Sequence, residues 1–176
     1  MFAMPKRVYR NSQFSVEELE MRRKGVRYNL YRVKLPPVAV VLPIFNSDEM
    51  LLERQYRGVL GRYMYEVPAG HAKSGESLIS CARRELEEET GYRAETIKPM
   101  LYEYPAPGSM TEKRSYFVAT GLRKGASSPD RSEDIAAERV GIGRVLRMIR
   151  QNRISDGKTI VAVLFYTAMK KNGHGL

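Results

Sequence analysis

The sequence predicts an α/β fold in which helices sandwich a sheet, and three observations carry that reading. Strand-like and helix-like segments alternate along most of the chain. Val38-Ala39-Val40-Val41-Leu42 is an unbroken apolar run, as expected of a strand buried on both faces. Between Gly70 and Tyr92 a loop leads into a strongly charged helical segment that ends at Gly91, where the left-handed conformation that closes helices favours glycine.

Taken in order, Ser15-Val16-Glu17-Glu18 has the form of a capping box and opens a short helix that Gly25 closes. Strands rich in β-branched and aromatic residues follow at Tyr28 to Val33, Val38 to Phe45, Glu49 to Arg57 and Met64 to Val67. A helix from about Ser77 to Thr90 separates these from strands at Ile97 to Tyr104 and Arg114 to Gly121. Gly125, Ser127, Ser128 and Pro129 make Lys124 to Ser132 the best candidate for a mobile loop. Two helices, Gly143 to Gln151 and about Lys158 to Lys170, complete the chain around a turn at Asp156-Gly157. Residues 1–37 then form an N-terminal extension of short helix and strand, 38–170 the main domain, and 171–176 a tail.

At 176 residues with 43% hydrophobic content, the chain is long enough for one well-buried domain and too short for two of usual size. No apolar run approaches the ~18 residues of a membrane span, and the start MFAMPKRVYR lacks a secretory apolar stretch. The single Cys81 cannot form an internal disulfide, which fits a reducing cytoplasm. His71 and His174 lie far apart with no second thiol and make poor zinc ligands.

The charged helix carries the chemistry. Counting about 100° per residue from Glu85, Glu88 falls at about −60° and Glu89 at about +40°, so three carboxylates share one face. Leu78, Ala82, Leu86 and Ile79 span about +20° to +120°, the stripe that packs on a core, which sets Glu89 at its border. Cys81 lies at about −40°, where a small apolar residue packs. Ser80, Arg83, Arg84 and Glu87 take the opposite side, Glu87 being solvated. Carboxylates clustered at a core edge repel one another and lose hydration, and a divalent cation relieves both costs. Hard oxygen donors with open positions suit Mg²⁺, with Mn²⁺ as a substitute.

Gly70, Glu76, Arg84, Glu85, Glu88, Glu89 and Gly91 stand at the spacing of the Nudix signature, a match whose chance odds are on the order of one in a million. The chain therefore resembles the Nudix hydrolases, whose fold is an α/β/α sandwich with a mixed sheet. Outside the signature, Gln55-Tyr56-Arg57, Glu66-Val67-Pro68-Ala69-Gly70, Pro107-Gly108 with Glu112, Glu133-Asp134-Ile135 and the 154–160 segment are similar to the ADP-ribose pyrophosphatase branch. The likeness spans roughly residues 38–168, whereas the first 37 residues depart from the strands with which that branch usually begins.

The resemblance implies metal ligation by Glu85, Glu88, Glu89 and the carbonyl of Ala69, with Arg84 holding the glutamates. It implies that Arg57 and Glu66 contact the substrate, and that the turn from Pro107 and Gly108 to Glu112 approaches its ribose side. Glu133 joins the metal site or acts as general base, with Asp130 and Asp134 as competing loop acids. Tyr28 and Tyr31 are the candidates for stacking an adenine. The reaction implied is attack of a metal-activated water on a phosphorus of the diphosphate, giving AMP and ribose 5-phosphate from ADP-ribose. A nucleoside diphosphate-linked small molecule is thus the expected partner, together with a second copy of the chain in a homodimer.

Three alternatives stay open: a hydrolase of another nucleotide sugar such as GDP-mannose, a Nudix enzyme of RNA 5′ ends, and a non-catalytic nucleotide sensor. The net charge of +10 attracts any polyanion, yet Arg22-Arg23-Lys24 is the one compact basic run, which does not favour nucleic acid.

Overall fold

The computed structural model describes residues 4–125 and 134–171. The chain opens with a three-stranded antiparallel sheet of β1 (Lys6–Arg10), β2 (Ser15–Arg23) and β3 (Val26–Lys34). The helix expected from the Ser15 capping box is therefore a strand. The local capping signal is overridden by tertiary pairing: nine consecutive residues of β2 pair with β3, and Glu17 is buried between Arg32 at 2.8 Å and Lys34 at 3.6 Å. Gly25 closes no helix. It makes the β2–β3 turn with Lys24, both at positive φ (82° and 51°), the geometry of tight hairpins.

The main sheet contains β4 (Val38–Asn46), β5 (Glu49–Arg57), β6 (Arg62–Glu66), β7 (Ala69–His71), β8 (Tyr92–Glu103), β9 (Arg114–Lys124) and β10 (Ile135–Gly141). It runs β10-β5-β4-β9-β8, with β6 on β5 and β7 on β4, and only the β4–β9 pairing is parallel. The sheet is mixed, as the resemblance implied. Sequence patterning located six of the strands but passed over β1, β2, β7 and β10. Strand β10 has no apolar alternation to read because most of its side chains are exposed.

Helix α1 (Leu78–Thr90) lies on one face, and α2 (Ile142–Arg150) and α3 (Gly157–Lys171) on the other. Strand β4 explains the layering. Val38, Val40, Leu42 and Ile44 face Val145, Met148, Ala162 and Val163 of α2 and α3, while Ala39 and Val41 face Cys81, Ala82 and Leu86 of α1. The unbroken apolar run is buried on both faces because both are covered by helices. No helix among the described residues is long and apolar enough to cross a membrane.

The edge of β4 splits between two partners, and this positions the site. Its C-terminal end pairs with β5 through Ile44 and Met50, whereas its N-terminal half pairs with β7. Strands β4 and β5 therefore diverge, and the 66–71 segment enters the gap beside α1, fixed by a 2.9 Å bond from the Val41 N–H to the Pro68 carbonyl.

Candidate active site

Helix α1 is held at both ends by its sequence. The Ser77 hydroxyl caps the first turn by accepting from the Ser80 N–H at 3.2 Å, and Gly91, at φ 72°, closes the last by donating to the Glu87 carbonyl. Between the caps, Cys81, Ala82 and Leu86 are buried, with Glu85 and Glu89 beside them at the border. The core stripe stops short of Ile79, which is 41% exposed. Glu87 is not merely solvated, since Arg93 Nε donates to it at 2.7 Å.

Arg84 bends over the end of this carboxylate face and gathers it. Its Nε and Nη2 bond both oxygens of Glu76 at 2.9 and 3.0 Å, while Nη1 donates to Glu85 at 2.6 Å and Glu88 at 2.9 Å. Nη2 also reaches the His71 carbonyl at 3.2 Å, tying the helix to the loop before it. Only a planar fork of donors serves three carboxylates at once. The bond from Arg84, seconded by the Lys73 N–H, holds the Glu76 carboxyl down at about 2. Arg84 is pushed further up by the same partner, against the opposing effect of burial.

The 66–71 segment forms the floor. The Ala69 N–H donates to Glu89 Oε2 at 3.0 Å, so the residue expected to offer a carbonyl also orients a glutamate through its amide. A Cβ at Gly70 would overlap the Glu85 carboxylate, so a side chain there requires that carboxylate to move. Gly70→Ala is accordingly expected to displace Glu85 and lower turnover about tenfold to a hundredfold. Circular dichroism should stay unchanged, and weaker Mn²⁺ binding by the variant checks the cause.

The opposite wall comes from β5, β6 and the start of α3. Arg57 bonds Glu66 through two parallel contacts, Nε at 2.7 Å and Nη2 at 2.5 Å. Lys158 joins the same carboxylate and also meets Asp156 at 3.1 Å. Burial pushes Glu66 up, but Arg57 and Lys158 together outweigh it and hold the carboxyl below its usual range. The two residues expected to touch substrate are thus each other's partners, with the Arg57 side chain 38% exposed at the cleft.

Sequence reasoning missed two charged members of this wall. Lys158 is buried although it opens a helix, and Glu53 is 1% exposed in the middle of β5. An acid on the inward phase of the strand Met50-Leu51-Leu52-Glu53 was the available signal. Glu53 lies directly across from Glu66 in the β5–β6 register, and its Oε1 has no hydrogen-bond partner. Burial first, and the charge of Glu89 second, push its carboxyl well above the ordinary range.

Downstream residues are partly gathered. Pro107 and Gly108 sit in an exposed turn closed by Ser109 N–H to Ala106 carbonyl at 3.0 Å, and Val33 bonds this turn to the N-terminal sheet through Ser109. Glu112 is buried with Arg114 Nε donating to it at 2.6 Å. Tyr28 and Tyr31 lie three residues apart on β3 and so face opposite sides of its sheet. Glu133, Asp130 and the 124–132 loop from residue 126 onward lie outside the described residues. Asp134 is engaged, its carboxylate accepting from the Tyr63 hydroxyl at 2.5 Å and its carbonyl from the Tyr56 N–H at 3.0 Å. A cavity of about 490 Å³ lined by Arg7, Arg10 and Lys34 shares none of these residues.

The donor set suits a hard divalent cation: buried carboxylates, an orphaned carboxylate oxygen at Glu53, and a glycine that leaves room for one of the glutamates. Among the described residues no three such groups already converge on one point. Arg84 ties Glu85 to Glu88, and the Ala69 amide holds Glu89.

The NUDIX domain model matches residues 34–160. The ADP-ribose pyrophosphatase of Bacillus subtilis (strain 168) is 31% identical over 135 residues, covering 76% of this chain and 73% of that protein. The methanol dehydrogenase activator of Bacillus methanolicus is 34% identical over 135 residues, covering 76% of this chain and 73% of that protein. A GDP-mannose pyrophosphatase of Escherichia coli O1:K1 / APEC is 31% identical over 129 residues, 67% of each chain. Among solved structures, an ADP compounds hydrolase superposes with a TM-score of 0.85 at 23% identity, covering 99% of this chain and 96% of that one. The chain belongs to the Nudix family and is an ADP-ribose pyrophosphatase-like Nudix hydrolase. The structural match also shows that its N-terminal strands conform to the fold of that hydrolase and are no departure from it.

Proposed function

We propose that this protein hydrolyses the diphosphate of ADP-ribose to AMP and ribose 5-phosphate, with Mg²⁺ as the resident cofactor and Mn²⁺ as a substitute. The observation that carries the reading is the carboxylate cleft: Glu85, Glu88 and Glu89 on one helix face, organised by Arg84 and by the Ala69 amide. Glu85, Glu88, Glu89 and the Ala69 carbonyl hold the cations. When bound, these supply an acidified water and offset the charge that builds on the bridging oxygen. Arg57 turns the exposed part of its guanidinium to the diphosphate, with Glu66 and Lys158 fixing its angle. Pro107, Gly108 and Glu112 border the ribose side, and Glu133 takes the proton of the attacking water. Asp134, a competing loop acid, is engaged by Tyr63 and Tyr56.

GDP-mannose is the second reading, favoured by the relatives named for that activity. Turnover with Mg²⁺ on ADP-ribose, GDP-mannose, diadenosine polyphosphate and 5′-triphosphorylated RNA separates the readings. AMP release is expected to be strongest from ADP-ribose. Preferential cleavage of another compound reassigns the substrate, and no cleavage with either metal leaves a nucleotide sensor.

A homodimer is part of the same reading. The N-terminal sheet has no core of its own: Leu30 and Tyr28, which pair across from Leu19 and Met21, are 41% and 38% exposed. A second copy covers such a face. Sedimentation at micromolar concentration should give a dimer, and a monomer contradicts it. A cytoplasmic setting belongs to the same reading; Cys81 is buried, and burial pushes its thiol up to about 11, which keeps it protonated.

A further inference from the structure

Glu53 is a buried acid beside the site for which neither the signature nor the substrate reading has a use. It is 1% exposed, and the β5–β6 register sets it opposite Glu66, so two carboxylates face each other where an apolar pair would be cheaper. Its neighbours Met50, Leu51 and Leu52 are fully buried, and a leucine would fit the pattern of the strand.

The surrounding cations do not satisfy it. Lys158 and Arg57 both act on Glu53, but each is bonded to Glu66. Its strongest charged neighbour is Glu89, a like charge that makes the position worse. Oε1 has no hydrogen-bond partner, and a buried oxygen left unsatisfied is costly. A group held at such a cost beside Glu89 calls for a partner that the protein chain does not supply. A divalent cation on the Glu89 side is that partner, because it neutralises both carboxylates and takes an oxygen donor.

We infer that Glu53 is a further carboxylate of the divalent-cation site, contributing Oε1 to the cation's shell beside Glu89. The inference rests on the metal-dependent reading of the cleft. It assigns to β5 a ligand that lies outside the signature helix and outside the expected ligand set of Glu85, Glu88, Glu89 and Ala69.

Its consequence is a trade of stability for metal affinity. Removing the charge of Glu53 relieves its repulsion with Glu66 and Glu89 in the metal-free protein and deprives the cation of an oxygen. The test measures Mn²⁺ binding to the full chain by calorimetry without substrate, together with melting of the metal-free protein, for wild type, Glu53→Gln, Glu53→Met and Glu89→Gln. Glu53→Gln and Glu53→Met are expected to weaken Mn²⁺ binding about tenfold or more. Both metal-free variants should melt at or above the wild-type temperature.

Wild-type Mn²⁺ affinity in both Glu53 variants, with loss in Glu89→Gln, overturns the role of Glu53 and leaves the metal site standing. Wild-type affinity in Glu89→Gln as well overturns the metal-site reading itself. A lowered metal-free melting temperature in both Glu53 variants shows Glu53 to be a structural residue and also overturns the inference.

Discussion

Glu89→Gln is expected to lower turnover by ~10³-fold or more with the fold intact. Glu89 is buried at the border of the α1 core stripe, and its Oε2 accepts the Ala69 N–H. Glutamine has the same shape, so packing against Leu86 and the sheet survives. The lost charge is what a hard divalent cation requires. An amide can also present its NH₂ toward Ala69, turning an attraction into a clash of donors. Steady-state turnover with saturating Mg²⁺, alongside circular dichroism, checks both halves of this expectation. Retained activity contradicts the metal assignment.

Arg84→Met should be nearly as damaging and, unlike the first change, should cost stability as well. One guanidinium, 19% exposed, satisfies Glu76, Glu85 and Glu88 and reaches the His71 carbonyl. Its removal leaves three acids facing one another with no cation between them. A loss on the order of 2 kcal/mol, less than for a fully buried pair because the site is partly hydrated, lowers the melting temperature by roughly 4–8 °C. Turnover should fall about a hundredfold, since the glutamates lose their common anchor. Arg84→Lys keeps a positive charge but cannot form the fork, so it should recover stability better than activity. Equal recovery of both indicates that charge alone matters there.

The contrast between these residues shows what a sequence discloses. Glu85, Glu88 and Glu89 were legible because a helix has one period, and counting from any glutamate gives the same shared face. Gly91 was legible for a similar local reason, its left-handed φ of 72°. The β2 strand was hidden because Ser15-Val16-Glu17-Glu18 satisfies a local helix-start pattern, while the forces that decide against it, pairing with β3 and the Glu17–Arg32 contact, come from residues up to nineteen positions away. Glu53 and Lys158 were missed for the same reason. An acid in an apolar strand marks an unusual position, but its role shows only once its register partner, Glu66, and its charged neighbour, Glu89, are known. Arg57 and Glu66 were found as motif residues, yet only the structure shows them bonded to each other and to Lys158.

The central claim is tested most directly by AMP release from ADP-ribose with Mg²⁺, repeated after chelation and compared with GMP release from GDP-mannose under the same conditions. The account predicts rapid AMP release that chelation abolishes and that added Mn²⁺ restores, with GDP-mannose cut more slowly. Hydrolysis that persists without divalent metal, or no hydrolysis of either compound with it, contradicts the account.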